Sequence, residues 1–257
     1  MKRPALLAFA TLVLAACENA TQPGVVASIQ SPQFAIVNVP GDFSTIQAAL
    51  NAASSGDTIL VAPGTYVGQI TITKAITLAS HFLPTGDTSF IATTILDGGG
   101  AAFVIEIPSS AEAGATIQGL TIQNADDGIK PRAHFNLLNC LVRDTNDGVD
   151  YEDGSGGLVQ FCTFELNNDD GLDLDNDVDL VIADNLIRNN DDDGIEIRMQ
   201  SYNGPTLNIT IMRNEIHGNG EDGIQLIHYD VPTDRFFEIT HNYIYDNVDA
   251  GIGMMDG

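Results

Sequence analysis

Apolar and polar positions alternate with period two through most of the chain, in short runs punctuated by Asn, Asp and Gly. Ile209 and Ile211, then Ile216, then Ile224 and Leu226 form one such set. Period two marks a strand with one buried face, and the punctuation marks tight turns. The set recurs. Counting from Gly148, Gly171, Gly194, Gly223 and Gly251, a bulky apolar residue stands seven positions back: Leu141, Phe164, Ile187, Ile216 and Ile244. Nine back are Asn139, Cys162, Asn185, Asn214 and Asn242, and four back are Asp144, Asn167, Asn190, Asn219 and Asn247. After each Gly comes apolar-x-apolar, as in Leu172-Asp173-Leu174 and Ile195-Glu196-Ile197. A poorer copy, one residue shorter, ends at Gly128. The Gly-to-Gly spacings of 20, 23, 23, 29 and 28 keep the centre of the unit constant and confine length change to one place, as a solenoid does.

Each unit holds about three short strands, and stacking units pairs each strand with its copy about 4.8 Å away, in parallel. The predicted fold is all-β: a right-handed parallel β-helix, a solenoid of coils 20–29 residues long. Inward positions stack Ile on Ile, and Asn stacks on Asn, where each amide can satisfy turn backbone in a neighbouring coil. A leucine-rich repeat has a similar period, but units this dense in Asp, Asn and Gly leave no helical or long convex segment.

Three segments follow in order. Residues 1–16 are not fold: Lys2 and Arg3 precede an apolar stretch too short to span a bilayer, closed by Leu14-Ala15-Ala16-Cys17. Residues 17–34 are small and polar with two Pro, a flexible tether. Residues 35–257 are the β-helix domain. It opens with an amphipathic helix predicted over Phe43–Ala53, with Ser44 as N-cap and Ile46, Ala49, Leu50 and Ala53 on one face, a cap for the open end of the solenoid. Strand runs follow at Thr58–Val61, Ile70–Thr73, Ala75–Leu78, Thr94–Leu96 and Phe103–Ile107. The chain stops six residues past a repeat Gly with no second cap in view. The sequence is therefore expected to be a fragment, or to meet something at that end, such as another copy end to end.

The opening segment resembles a bacterial lipoprotein signal, which implies that Cys17 is lipidated and holds the protein to a membrane. Glu18 in place of Asp after that Cys implies, by the same resemblance, the outer membrane or cell surface. The words VPGDFSTIQAALNAASSGDTILVAPGTY, from Val39 to Tyr66, look like the opening of pectin-lyase-like proteins, the right-handed β-helix group that includes pectate lyases and pectin methylesterases. That resemblance runs from Val39 to Gly257.

Charge narrows the partners. The net charge of −25 becomes −27 once Lys2 and Arg3 are removed. So acidic a chain repels nucleic acid, and repels polyuronates unless cations bridge them. It has no Trp, which argues against the usual aromatic sugar platform, although six Tyr remain. Cys140 and Cys162 lie eight and nine positions before their glycines, so they are expected out of register and on opposite faces, without a disulfide.

Two sets of acids line up. The turn set before each Gly is Asp126-Asp127, Asn146-Asp147, Asp169-Asp170, Asp192-Asp193, Glu221-Asp222 and Asp249-Ala250. It can serve turn backbone, or hold Ca2+ through rows of oxygen ligands. The second set occupies the outward x positions after each Gly: Lys130 and Arg132, Asp150 and Glu152, Asp173 and Asp175, Glu196 and Arg198, Gln225 and Ile227. Asp150, Glu152, Asp173, Asp175 and Glu196 form a candidate metal patch with Arg198 at its edge. Pectate lyases place calcium-binding acids on an outer sheet with Arg or Lys as base, so the resemblance implies Asp173, Glu196 and Arg198 as catalytic candidates. Arg198 beside so many acids would stay protonated unless Ca2+ occupied them. Asp173 with Glu196 could instead serve glycoside hydrolysis. The Gly-His-Gly and Arg-x-Lys signatures of polygalacturonases, the Arg-x-x-Trp of methylesterases and the Asp-Pro-His-Asp of alginate epimerases are absent.

The sequence therefore reads as an envelope-anchored β-helix that binds or processes extracellular acidic polysaccharide, with a calcium-dependent lyase as the specific enzyme expectation. The alternative is a non-catalytic surface solenoid, a spacer or adhesion module. The longer segments Met199 to Leu207 and Ile227 to Phe236 would wall the patch on its C-terminal side.

Overall fold

The computed structural model describes residues 34–202, 204–229 and 234–256. Residues 1–33, and with them the signal segment, Cys17 and nearly all of the tether, lie outside the described residues.

Three strands make one coil, and each strand away from the two ends pairs in parallel with its copies in the coils before and after it. The first strands, from Ile36–Val39 to Arg235–Thr240, form a sheet of nine among the described residues. The second and third strands share a sheet of thirteen, because Thr94–Ile107, Thr121–Pro131 and Leu141–Tyr151 each run unbroken through the turn between them. From Thr163 onward the two rows separate, as in Thr163–Glu165 and Leu172–Leu174.

The inward positions stack as predicted. Val142, Phe164, Ile187 and Ile216 form one column, Val149, Leu172, Ile195 and Ile224 a second, and Val159, Ile182 and Ile211 a third, all fully buried. Each such side chain contributes about 1.5–3 kcal/mol on leaving water. The repeat glycines from Gly128 to Gly223 fill a position with no room for more. A Cβ on Gly194 would lie 2.6 Å from the Gly223 carbonyl oxygen and 2.8 Å from Ile216.

Asn ladders close the turns. Asn185 Nδ2 donates to Asn214 Oδ1 at 2.9 Å, and Asn214 Nδ2 donates to Asn242 Oδ1 at 3.0 Å. Each Oδ1 also accepts the backbone N–H of the preceding coil, at 2.9 Å in both steps. A second ladder runs from Asn167 through Asn190 and Asn219 to Asn247. The ladders thereby pair turn donors from coil to coil without water, up to the last amide, Asn247 Nδ2, which is buried and has no partner.

The alignment of the coil ending at Gly148 differs from the count made back from its Gly. There is one residue fewer between Thr145 and Asp147 than between Asn167 and Asp170, so everything upstream shifts by one. Val142 and not Leu141 stacks on Phe164, and Thr145 and not Asp144 begins the second ladder, donating to Asn167 Oδ1 at 2.7 Å. Cys140 and not Asn139 shares the column of Cys162. The two thiols are therefore in register, with the Cys140 N–H 3.5 Å from Cys162 Sγ, and not on opposite faces. Both are free and buried.

The cap is a helix over Ile46–Ala52, with Ile46, Ala49 and Leu50 buried against the first coil. Its N-cap is Thr45, not Ser44. Thr45 has the extended backbone, and its Oγ1 accepts from the Ala48 N–H at 3.2 Å. Lys74 closes the other end, donating from Nζ to the carbonyls of Asn51 and Ala53. Two short helical turns, Phe82–Thr85 and Ser89–Thr93, are inserted before Thr94 and have no counterpart in the predicted elements.

Candidate functional site

The third strands carry the outward acids in one row. Asp150, Asp173, Glu196 and Gln225 are register partners in successive coils, with Lys130 one coil before Asp150. They face outward, yet Asp173, Glu196 and Gln225 are only 6%, 7% and 5% exposed. The reason is a second row three residues back, Asp147, Asp170, Asp193 and Asp222, which the turn folds alongside the first. Each of these accepts the backbone N–H of its successor: Asp170 N–H to Asp147, Asp193 N–H to Asp170, Asp222 N–H to Asp193. The turn role of these carboxylates is thus real.

The five candidate metal carboxylates do not gather in one place. Asp150 and Glu152 pair with Lys130, which also meets Asp127 at 3.0 Å, and Glu152 takes Arg132 at 2.9 Å. Asp173 and Glu196 pair with Arg198, and Asp175 lies 3.5 Å from the same guanidinium. Burial alone would push both cations down, but their carboxylate partners outweigh it and hold Lys130 and Arg198 above their ordinary values. As the structure stands, neither is poised to accept a proton.

The carboxylates of the two rows are raised as well, which for them disfavours the charged form. Burial, with the neighbouring charge of Asp169, raises Asp147 to about 7. Burial and Glu196 raise Asp170 to about 10. Burial raises Asp173 to about 8 against the pull of Arg198, and raises Asp193 to about 7. Glu196 is raised by burial as well. Asp147, Asp170 and Asp173 each bring an oxygen within 4.8 Å of the other two. Asp173 Oδ1 is buried with no hydrogen-bond partner, since Arg198 takes Oδ2. Asp193 Oδ2, in the next coil, is likewise buried and unpaired. Three hard oxygens converging, from a set in which Asp173 also keeps a buried, unpartnered oxygen, are a donor set that fits a divalent cation such as Ca2+. A second group, Asp169, Asp170 and Asp192, shares Asp170 and is more open. Asp147 and Asp170 were legible as members of the turn set, with turn service or a Ca2+ column as alternatives, but not as neighbours of the strand acids. The signal that would have joined them to the strand set is the recurring Asp-x-x-acid spacing of Asp147 with Asp150, Asp170 with Asp173 and Asp193 with Glu196.

The wall on the C-terminal side is present in part. Gln200, Ser201 and Tyr202 face Asp153, Asn176 and Asp177 across a cavity of about 260 Å³, and Arg235 braces it over the Tyr202 ring at 5.8 Å. Asn203 and residues 230–233 of the two long segments lie outside the described residues. The two larger cavities lie elsewhere, beside the cap helix and on the second-strand face.

Coils of three parallel strands, Asn ladders and a buried carboxylate face define a right-handed parallel β-helix protein. Residues 81–233 match the family described as right handed beta helix region, and the chain belongs to it. Among solved structures, pectate lyase Pel9A superposes with a TM-score of 0.60 at 13% identity, over 88% of this chain and 78% of the lyase. A pectin methylesterase from Aspergillus niger gives 0.57 at 14% identity, over 90% and 87%. The A-module of a mannuronan C-5 epimerase from Azotobacter vinelandii gives 0.54 at 17% identity, over 85% and 79%. At these identities the likeness is one of fold. No curated protein matches the chain by sequence.

Proposed function

We propose that this protein binds an acidic polysaccharide on its third-strand face through a divalent cation, and cleaves it by elimination. The observation that carries the reading is the convergence of Asp147, Asp170 and Asp173, the last of which keeps a buried Oδ1 with no partner. Pectin and alginate enzymes among the structural neighbours support the substrate class. Asp147, Asp170 and Asp173 would hold the cation, which supplies charge to neutralise a uronate carboxylate and acidify the proton α to it. Arg198 would take that proton only as the neutral guanidine, having given its own proton to solvent once the cation occupies the acids that hold its charge. The α proton then passes to Arg198, the bond to the next sugar oxygen breaks, solvent protonates the leaving oxygen, and an unsaturated uronate end remains. Asp175 stays beside the recharged guanidinium as its counter-charge.

The test is ultraviolet absorbance of the unsaturated product during incubation with polygalacturonate and alginate, with Ca2+ or with chelator. A calcium-dependent rise that is lost in Arg198→Ala supports the lyase. No rise on any uronate polymer sinks it.

A second reading is supported by the carboxylate cages around Lys130 and Arg198, which leave no base in the resting face: polysaccharide binding without turnover, in a surface spacer or adhesion module. Calcium-dependent retention on the same polymers without product would select it. We also propose that Cys17 is lipidated and anchors the protein in the cell envelope. Incorporation of labelled fatty acid that persists in Cys17→Ala would defeat this.

A further inference from the structure

A different face brings aromatic rings and a cavity together. Outward positions of the second strands bring three rings together: His217 and Tyr245, register partners one coil apart, stack at 4.7 Å with 15° between their planes, and Tyr243 lies 4.6 Å from Tyr245. Tyr245 is locked from two sides, since its hydroxyl donates to Glu215 at 2.8 Å. Tyr243 is 65% exposed. Glu215 also lines a cavity of about 440 Å³ with Arg213, Asp184 and Phe161. Arg213 holds Asp184 through two bonds of 2.7 Å, so its charge is taken up by that carboxylate. At its far end Phe161 is 56% exposed with a φ of 58°, a left-handed backbone that bulky residues rarely adopt. The same turn position is polar in the following coils, at Asp184, Arg213 and His241.

We infer that this ledge, from Phe161 across Asp184, Arg213 and Glu215 to Tyr243 and Tyr245, binds a neutral glycan chain lying along the solenoid axis. Four consecutive coils contribute to it, each step being about 4.8 Å, close to the advance of one pyranose unit along an extended chain. Aromatic faces at both ends can take the apolar faces of sugar rings, and the fixed carboxylates and guanidinium between them can take hydroxyls. His217 and Tyr245 are held by their stack and by Glu215 before any ligand arrives, so their part of the binding incurs little further entropy. The ligand is neutral because the charge of Arg213 is taken up by Asp184 while Glu215 adds a negative one, so these residues offer an anionic sugar no uncommitted cation, and the protein as a whole carries a net −25 that repels anionic polymers. The absence of Trp argued against an aromatic platform, but Tyr and His from two coils build one that no single strand contains.

The site stands apart from the carboxylate face, and its test runs in chelator so that the two are separable. The full chain is run by native electrophoresis through gels containing mixed-linkage glucan, galactomannan or xylan, with polygalacturonate alongside. At least one neutral polymer is expected to retard it. Tyr243→Ala should weaken that retardation about tenfold with an unchanged melting temperature, Tyr245→Phe should weaken it less, and Asp173→Asn should leave it alone. Retardation by no neutral polymer, or retardation that survives Tyr243→Ala, overturns the inference. So does retardation by polygalacturonate alone and only when Ca2+ is restored.

Discussion

Asp170 accepts a hydrogen bond at 2.8 Å from the backbone N–H of Asp193, its own counterpart one coil on, and both side chains are buried. The same carboxylate therefore holds the turn together and sits beside Asp147, Glu196 and Asp193, whose charges it must tolerate. Structural need and electrostatic cost meet at this residue, and the cation proposed above resolves them.

A dependence of stability on pH follows. In the unfolded chain these carboxyls ionise near 3.8, whereas the fold holds Asp147 and Asp193 protonated to about 7, Asp173 to about 8 and Asp170 to about 10. The folded state thus binds more protons over this window, and stability falls as pH rises through it. In chelator, calorimetry should show the melting temperature dropping by several degrees between pH 5 and pH 8, and Ca2+ restoring it. Asp170→Asn keeps the acceptor and removes the charge, so it should flatten the pH dependence and lose most of the response to Ca2+. A melting temperature indifferent to pH would mean that these groups ionise freely.

Arg198→Ala should destabilise more at pH 8 than at pH 5. The guanidinium opposes the burial of Asp173 and Glu196, and without it their charged forms become costlier still. A loss of about 1–3 kcal/mol is expected at pH 8, read by denaturant unfolding. An equal loss at both pH values would reduce the role of Arg198 to packing.

The ladders predict an asymmetric pair of variants. Asn214→Ala leaves the Asn185 backbone N–H and the Ile182 carbonyl without their 2.9 Å partners, at about 1–3 kcal/mol for each buried group unpaired. Cys162→Asn should instead extend the ladder, since Cys162 Sγ already lies 3.4 Å from the Leu137 carbonyl and its backbone N–H already donates to Asn185. A gain of about 1 kcal/mol is expected. A destabilised Cys162→Asn would show that the two-thiol section of the column has no space for an amide.

The glycine column gives a steric test. Gly194→Ala drives a Cβ against the Gly223 carbonyl at 2.6 Å and should prevent the coils on either side from closing. At Gly251 the nearest atom would be 3.6 Å away, on Ile244, so Gly251→Ala should be nearly neutral. Circular dichroism melts of the two proteins separate these outcomes.

Much of this molecule was legible in one dimension. The period-two runs located Leu172–Leu174 and Ile195–Met199, and the Asn positions identified both ladders, because strand alternation and turn chemistry depend on residues close in sequence. The site was legible only in part. Asp173, Glu196 and Arg198 were found and do meet, but Asp150 and Glu152 went to Lys130, and Asp147 and Asp170 entered from the turn.

What the chain determined alone is the content of a coil: which residues point inward, which turn, and that copies stack. What only the tertiary structure decided is which residues lie beside one another across coils. One residue fewer between Thr145 and Asp147 moved Cys140 into line with Cys162, and the bend before each Gly carried a row of turn carboxylates against a row of strand carboxylates. Contacts between coils depend on turn lengths and on how each turn closes, and those are settled by backbone pairing over 20 or more residues, not by any local run.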